Sequence, residues 1–384
     1  MKNLNKPLPF FLLFLVIVFV ISNCTKTKEK ENSLDLYAGF QDPPAEARPF
    51  VRWWWNGNKI TAEEIERELD LLKEAGIGGV EINPIALPPF SKDIGVESKE
   101  WMSDEWIELM VKACEKAYEN GMIADMIVGS GWPFGGEFLK DDQVIQRVVQ
   151  NEIEIAGQDQ ISETLQSLRN KLEAGNKNGR HPVHFSNEYE HPLLYVHLIP
   201  GELQNTSAVT DLTDELLKTG SLELTLPDRG KYILSYGFIQ KGHRDVMHGA
   251  PGAAGPVMDH YNKEITLAYL SRLKEISEKT GIPLAKLLRA LFCDSIELAG
   301  ANWTDGFSKI FYDTYGYNID PFLSFVFEAE GESKIDLTGQ SVVKDSIRRA
   351  RYDFNRLLVD VFLNSFTRVF QDFCTENGLL CRYQ

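Results

Sequence analysis

The residues best suited to chemistry are two carboxylates, Asp294 and Glu297, in the stretch "FCDSIELAGANW" from residue 292 to 303. They close an apolar run and precede an aromatic, amide-rich turn. A carboxyl at the end of an apolar strand is a general-acid candidate, because apolar surroundings disfavour its charged form. If the strand continues through this stretch, alternation puts Glu297 with Ser295 and Cys293 on one face and Asp294 on the other. Glu297 is then the catalytic candidate. A buried hydrogen-bonded acid and a solvated loop residue are the competing readings. The sequence has no Gly-x-Ser-x-Gly elbow, Walker loop or dinucleotide fingerprint to offer another chemistry.

Aromatic and amide residues suggest what such an acid would act on. In "RWWWNGN", residues 52 to 58, alternation sends Trp54 the opposite way from Trp53 and Trp55. One side packs helices, and the other faces an interior or its mouth. Aromatic faces at a mouth suit sugar rings, and Trp55 and Asn56 are taken as pocket residues; core packing is the competing reading for any single Trp. "GSGWPFGGEF", residues 129 to 138, can bring backbone close to a ligand while Trp132 presents a wall. Asn83, ending "VEIN" with Glu81, and Asn302 complete the expected pocket. His243, His248, Asp259 and His260 have no metal-ligand spacing, which argues against a transition metal. Oxygen ligands for calcium scattered over loops are not legible in a sequence.

These residues need a scaffold, and a repeating unit supplies it: amphipathic helix, glycine stop, apolar strand. Thr61 can cap a helix with Glu64 reaching back as a capping box, and Ile65, Leu69 and Leu72 share one face. "EAGIGG" stops that helix and "GVEIN" follows as a strand. Further helices are expected at 103–120, about 261–280, 304–315 and about 345–377. Strands are expected at "VRWWW", "GVEIN", "MIADMIVG", "LLRALFCDSIE" and "LLCRYQ". Five strands joined by helices predict a parallel α/β sheet or (β/α)8-type barrel.

Residues 142–250 have another character, with β-rich runs such as "KYILSYGFIQ", and predict an inserted β-rich subdomain between 48–141 and 251–384. Without it the strand-helix units supply only about 226 residues against roughly 250 for an eight-stranded barrel. The chain also stops on a strand. The expectation is a barrel incomplete at about five strands.

Lys2 and Lys6 precede an apolar run from Phe10 to Ile21, and "VISNC" puts Cys24 where a bacterial lipoprotein signal has its lipidated cysteine. Residues 1–24 are thus read as a signal, and 25–47 as a hydrated tether. An anchored protein of the periplasm or cell surface follows. The formal charge of −16 becomes −18 on losing Lys2 and Lys6, and no basic stripe offsets it, which argues against nucleic acid. No disulfide framework is expected. Cys374 and Cys381 could pair only if the turn between them brings them together.

Taken together, "RPFVRWWWNGN", "AGIGGVEI", "GSGWPFGG" and "DSIELAGANWTDGF" followed by "YGYN" resemble the α-L-rhamnosidases of glycoside hydrolase family 106, from about Arg48 to Gln384. The resemblance implies a barrel hydrolase that removes terminal L-rhamnose from plant-type polysaccharides with inversion, with a calcium ion at the sugar. It places Glu297 as the catalytic acid. The base it requires is expected from a strand later than any present. A glycan-binding lipoprotein without turnover, or an inactive fragment, is the alternative.

Overall fold

The computed structural model describes residues 36–384 except 93, 157–159, 177–181, 227–229, 328–333, 336, 338 and 339. The leader, Cys24 and the first part of the expected tether lie outside the described residues. The remainder of that tether departs from expectation, since Leu36–Gln41 is a short helix with Leu36, Tyr37 and Phe40 exposed.

In chain order, β1 (Phe50–Asn56), α1 (Ala62–Glu74), β2 (Gly79–Ile85), α2 (Asp104–Glu119) and β3 (Ile123–Ile127) come first. The inserted stretch holds β4 (Gln146–Ala156), β5 (Ile161–Thr164), α3 (Leu165–Gly175), β6 (Leu193–Pro200), β7 (Thr210–Asp211), β8 (Ser221–Leu224) and β9 (Lys231–Lys241). Then follow α4 (Lys263–Ser271), α5 (Lys274–Thr280), β10 (Ala290–Cys293), α6 (Phe307–Tyr315), α7 (Ser341–Phe362), α8 (Arg368–Glu376) and β11 (Leu380–Tyr383).

Local chemistry explains the helix ends. Thr61 accepts from the Glu64 amide at 3.3 Å and Ser103 from Trp106 at 3.2 Å, each satisfying a backbone donor that the first turn leaves open. The expected capping box at Thr61 is only half made. Glu64 turns its carboxylate to Arg67 instead, at 2.8 and 2.5 Å. Gly76 and Gly121 close α1 and α2 with φ of +80° and +68°.

The expected helix at 261–280 is two helices, α4 and α5. The long C-terminal one is α7 and α8 joined by a π-helical turn, Leu363–Thr367.

All five parallel strands join one sheet in the order β1-β2-β3-β10-β11. One face of it is apolar: Trp53, Trp55, Val80, Ile82, Ala124, Met126, Leu291 and Cys293 pack against Ile65 and Leu69 of α1 and Trp106, Met110 and Cys114 of α2. The inserted stretch forms a separate antiparallel sheet, β4-β9-β6-β7, with a β5-β8 pair beside it. A neck joins the two sheets, made of bridges Trp132↔Met247, Gly135↔Val257 and Val144↔Met258.

Candidate functional site

The second face of the parallel sheet is polar, and register explains how. Arg52 lies beside Glu81 and Glu81 beside Asp125, so three charged side chains from β1, β2 and β3 point the same way. Arg382 of β11 donates to Glu81 Oε2 and Asp125 Oδ2, each at 2.8 Å. Arg289, just before β10, grips Asp125 with two nitrogens at 3.0 and 2.6 Å. Arg52 donates to Asp294 Oδ2 at 3.0 Å and lies 3.3 Å from Glu81. Three arginines thus balance three buried carboxylates.

This network also reports the shape of the sheet. Neighbouring strands lie about 4.8 Å apart, so β1 and β10, separated by two strands, would be roughly 14 Å apart in a flat sheet. Arg52 nevertheless contacts Asp294, and Arg382 on β11 reaches Glu81 on β2 across a like interval. The sheet therefore curls around its polar face. Aromatic rings line the hollow: the Arg52 guanidinium sits 5.3 Å from the Trp54 ring and 4.9 Å from Phe292.

Most expected site residues sit differently from their forecast. Strand β10 ends at Cys293, so the alternation that selected Glu297 does not extend to it. Asp294 is the carboxylate at the strand end, 4% exposed and held by Arg52 and the Ser295 amide. Glu297 stands exposed in the following loop without a hydrogen bond or ion pair among the described residues. Trp55 is 1% exposed on the helix side, edge-on to Trp53 and Trp106, and forms part of the wall of the cleft that Asn56 borders. Trp54, 41% exposed, is the tryptophan of the polar face.

Asn83 is buried and spends its amide on Glu81, donating to the backbone oxygen at 3.0 Å and to Oε1 at 2.9 Å. It orients a carboxylate rather than lining a pocket. Asn302 accepts from the Val148 amide at 2.7 Å, which ties the insertion to the loop after β10. Asn56 is exposed at the end of β1 and borders a cleft of about 470 Å³ with Trp54, Lys59, Leu87 and Lys92. Trp132 is half-buried beside His248, with ring centroids 5.3 Å apart. Arg52, Trp54 and Asp294 are the site residues that sequence reasoning did not choose. The alternation of "RWWW" was the available signal for Arg52 and Trp54, and the place at the end of the apolar run "ALFC" was that for Asp294.

Strain marks the same end of the sheet. Five described non-glycine residues have left-handed backbone: Asn58, Phe90, Met102, His248 and Ala299. Each lies in a connection that leaves the C-terminal end of a parallel strand, the side on which α/β proteins build their sites. Gly131 belongs there too, because a Cβ on it would meet the Met247 oxygen at 2.2 Å.

The calcium implied by the resemblance finds no ready ligand set. Among the described residues no cluster of three His, Cys, Asp or Glu could hold a metal ion. The polar-face carboxylates are already paired with arginines.

The model of the alpha-L-rhamnosidase family matches residues 41–176 and 182–384. The chain belongs to glycoside hydrolase family 106. In fold, this family 106 chain is similar to a rhamnosidase from Novosphingobium sp. PP1Y of solved structure, with a TM-score of 0.60 at 17% identity. That alignment covers 91% of this chain and 47% of the rhamnosidase. A curated Formosa agariphila protein named "Putative beta-glucuronidase" is 24% identical over 403 residues. The match takes in 97% of this chain and 32% of that protein, so the family 106 chain spans about a third to a half of the proteins it matches.

Proposed function

We propose that the protein carrying this chain hydrolyses terminal α-L-rhamnosides with inversion, and that the curled sheet is part of a (β/α)8-type barrel. The family match over nearly the whole described chain carries the reading. The concave polar face and the concentration of strain at the C-terminal strand ends support it. The substrate is a rhamnose-bearing oligo- or polysaccharide, bound where Trp54, Asn56 and Trp132 surround the mouth.

In this mechanism the Glu297 carboxyl gives its proton to the glycosidic oxygen as the bond from that oxygen to the anomeric carbon breaks. A water attacks the opposite face of that carbon and passes its proton to a second carboxylate. Inversion needs the two carboxyls roughly 6.5–9.5 Å apart. Exposure of Glu297 on a loop leaves it free to approach a leaving group. Asp294, Glu81 and Asp125 are engaged with arginines, and the family resemblance puts the base on a strand later than those of the matched stretch. Calcium enters no step of this mechanism.

The test is release of rhamnose from a chromogenic α-L-rhamnoside by the whole protein, with the matching β-glucuronide as the control. Glu297→Gln should lower turnover by about 10²–10⁴-fold, the usual worth of a general acid. Unchanged turnover removes Glu297 from the mechanism. Cleavage of the glucuronide alone overturns the substrate. Sugar binding without cleavage of either supports a glycan-binding lipoprotein.

A further inference from the structure

We propose that Cys374 and Cys381 form a disulfide that clamps the edge strand β11 onto helix α8. The clamp does not depend on the glycosidase reading. The turn between them is tight: α8 ends at Glu376, Gly378 takes φ +71°, and the Leu379 amide bonds back to the Cys374 oxygen at 2.8 Å. Strand β11 therefore starts directly under the last helical turn. Cys374 is buried in the core between sheet and helices, and Cys381 packs half-buried against the same cluster. Each of the two thiols lies close enough to shift the other's ionisation, with Tyr383 also beside Cys381.

The other described cysteines are worse partners. Cys114 lies in α2, where its thiol points at the Met110 sulfur at 3.6 Å. Cys293 is a neighbour in the adjacent strand, but register sets Cys381 opposite Leu291 and Cys293 opposite Tyr383.

The chemistry balances with a small-molecule or protein disulfide as oxidant. The half-exposed Cys381 thiolate attacks the oxidant disulfide, expelling one thiol and forming a mixed disulfide. The Cys374 thiolate then attacks the Cys381 sulfur and releases the second thiol. Burial raises the Cys381 thiol and pushes Cys374 to about 12, so exchange is slow at neutral pH and quickens with alkalinity. The bond would fix the strand that presents Arg382 to Glu81 and Asp125.

Both cysteines fall in one tryptic peptide, residues 369–382, between Arg368 and Arg382. The full chain is reduced, equilibrated with a glutathione disulfide and thiol mixture at mildly alkaline pH, unfolded, alkylated and digested. The peptide should be recovered unalkylated and lighter by two hydrogens than the dithiol form, and the oxidised chain should melt several degrees above the reduced one. That melting difference should vanish in Cys374→Ser and in Cys381→Ser. A doubly alkylated peptide, a cross-link from Cys381 to Cys293, or equal melting temperatures would overturn the proposal.

Discussion

Asp294 and Glu297 stand three positions apart and occupy opposite environments, one buried against a guanidinium and the other exposed to water. Their contrast could not be read locally, because Arg52, which draws Asp294 in, lies 242 residues away. Alternation presupposes that a strand persists; here it stops at Cys293. Losing Arg52 leaves Asp294 without its guanidinium and removes one of two arginines from Glu81. Arg52→Ala should therefore cost about 1.5–3 kcal/mol, the range for hydrogen bonds to charged groups. Urea midpoints measure it, with Arg52→Lys recovering part; a wild-type midpoint for the alanine variant would sink the idea.

Asp259 gives a second prediction. Burial pushes its carboxyl up to about 7, against the Thr304 hydroxyl at 2.6 Å and the Tyr261 amide at 2.9 Å, which favour the ion; Asp305 adds repulsion and Lys241 attraction. Between pH about 4 and about 7 the folded chain keeps a proton that the unfolded chain has lost, so this group's stabilisation falls as pH rises through that window. Buried His260 and His197, both lowered to about 4, act in the opposite direction in both variant and parent. Asp259→Asn should gain stability over the parent at pH 8 and lose that gain by pH 4 in thermal melts. A constant difference would refute the assignment.

At the scale of elements, sequence reading succeeds where signals are local. All five parallel strands and the cap Thr61 are legible because apolar period and capping residues lie within a few positions of one another. The breaks are less so. The helix expected at 261–280 divides near Arg272, whose guanidinium lies 3.7 Å from the Phe138 ring, a partner no local window contains. In the loop "GSGWPFGG" the close backbone approach is to the protein itself, since Gly131 adopts φ +63° against the Met247 oxygen. Gly131→Ala should destabilise the neck by more than about 1 kcal/mol, because the new methyl has no room and the wrong backbone. Proteolysis within 242–258 should accelerate; unchanged cleavage would argue against that role of the glycine.

At the scale of the whole molecule, length and composition point to an α/β protein with an insertion, while the curl of the sheet follows from contacts across two strands that no sequence pattern encodes. The lipid anchor remains our proposal for the full protein, exported to the periplasm or cell surface. Replacing Cys24 with Ala should shift the protein from the membrane to the soluble fraction on cell fractionation. An unchanged distribution would exclude lipidation at that residue.

The insertion leaves the body at Gln146 and returns at Lys241, and those two residues are register partners in the β4–β9 pair. A segment whose two ends meet imposes little on its host: lengthening a loop costs only about 0.6 kcal/mol per doubling. Chain closure is only part of the attachment, because Val148 and Ile239 share a core with Phe307 and Phe354, and Ile199 and Ile233 share one with Phe325 and Val343. A module exchanged at the neck would have to bring a matching apolar face as well as two ends that meet.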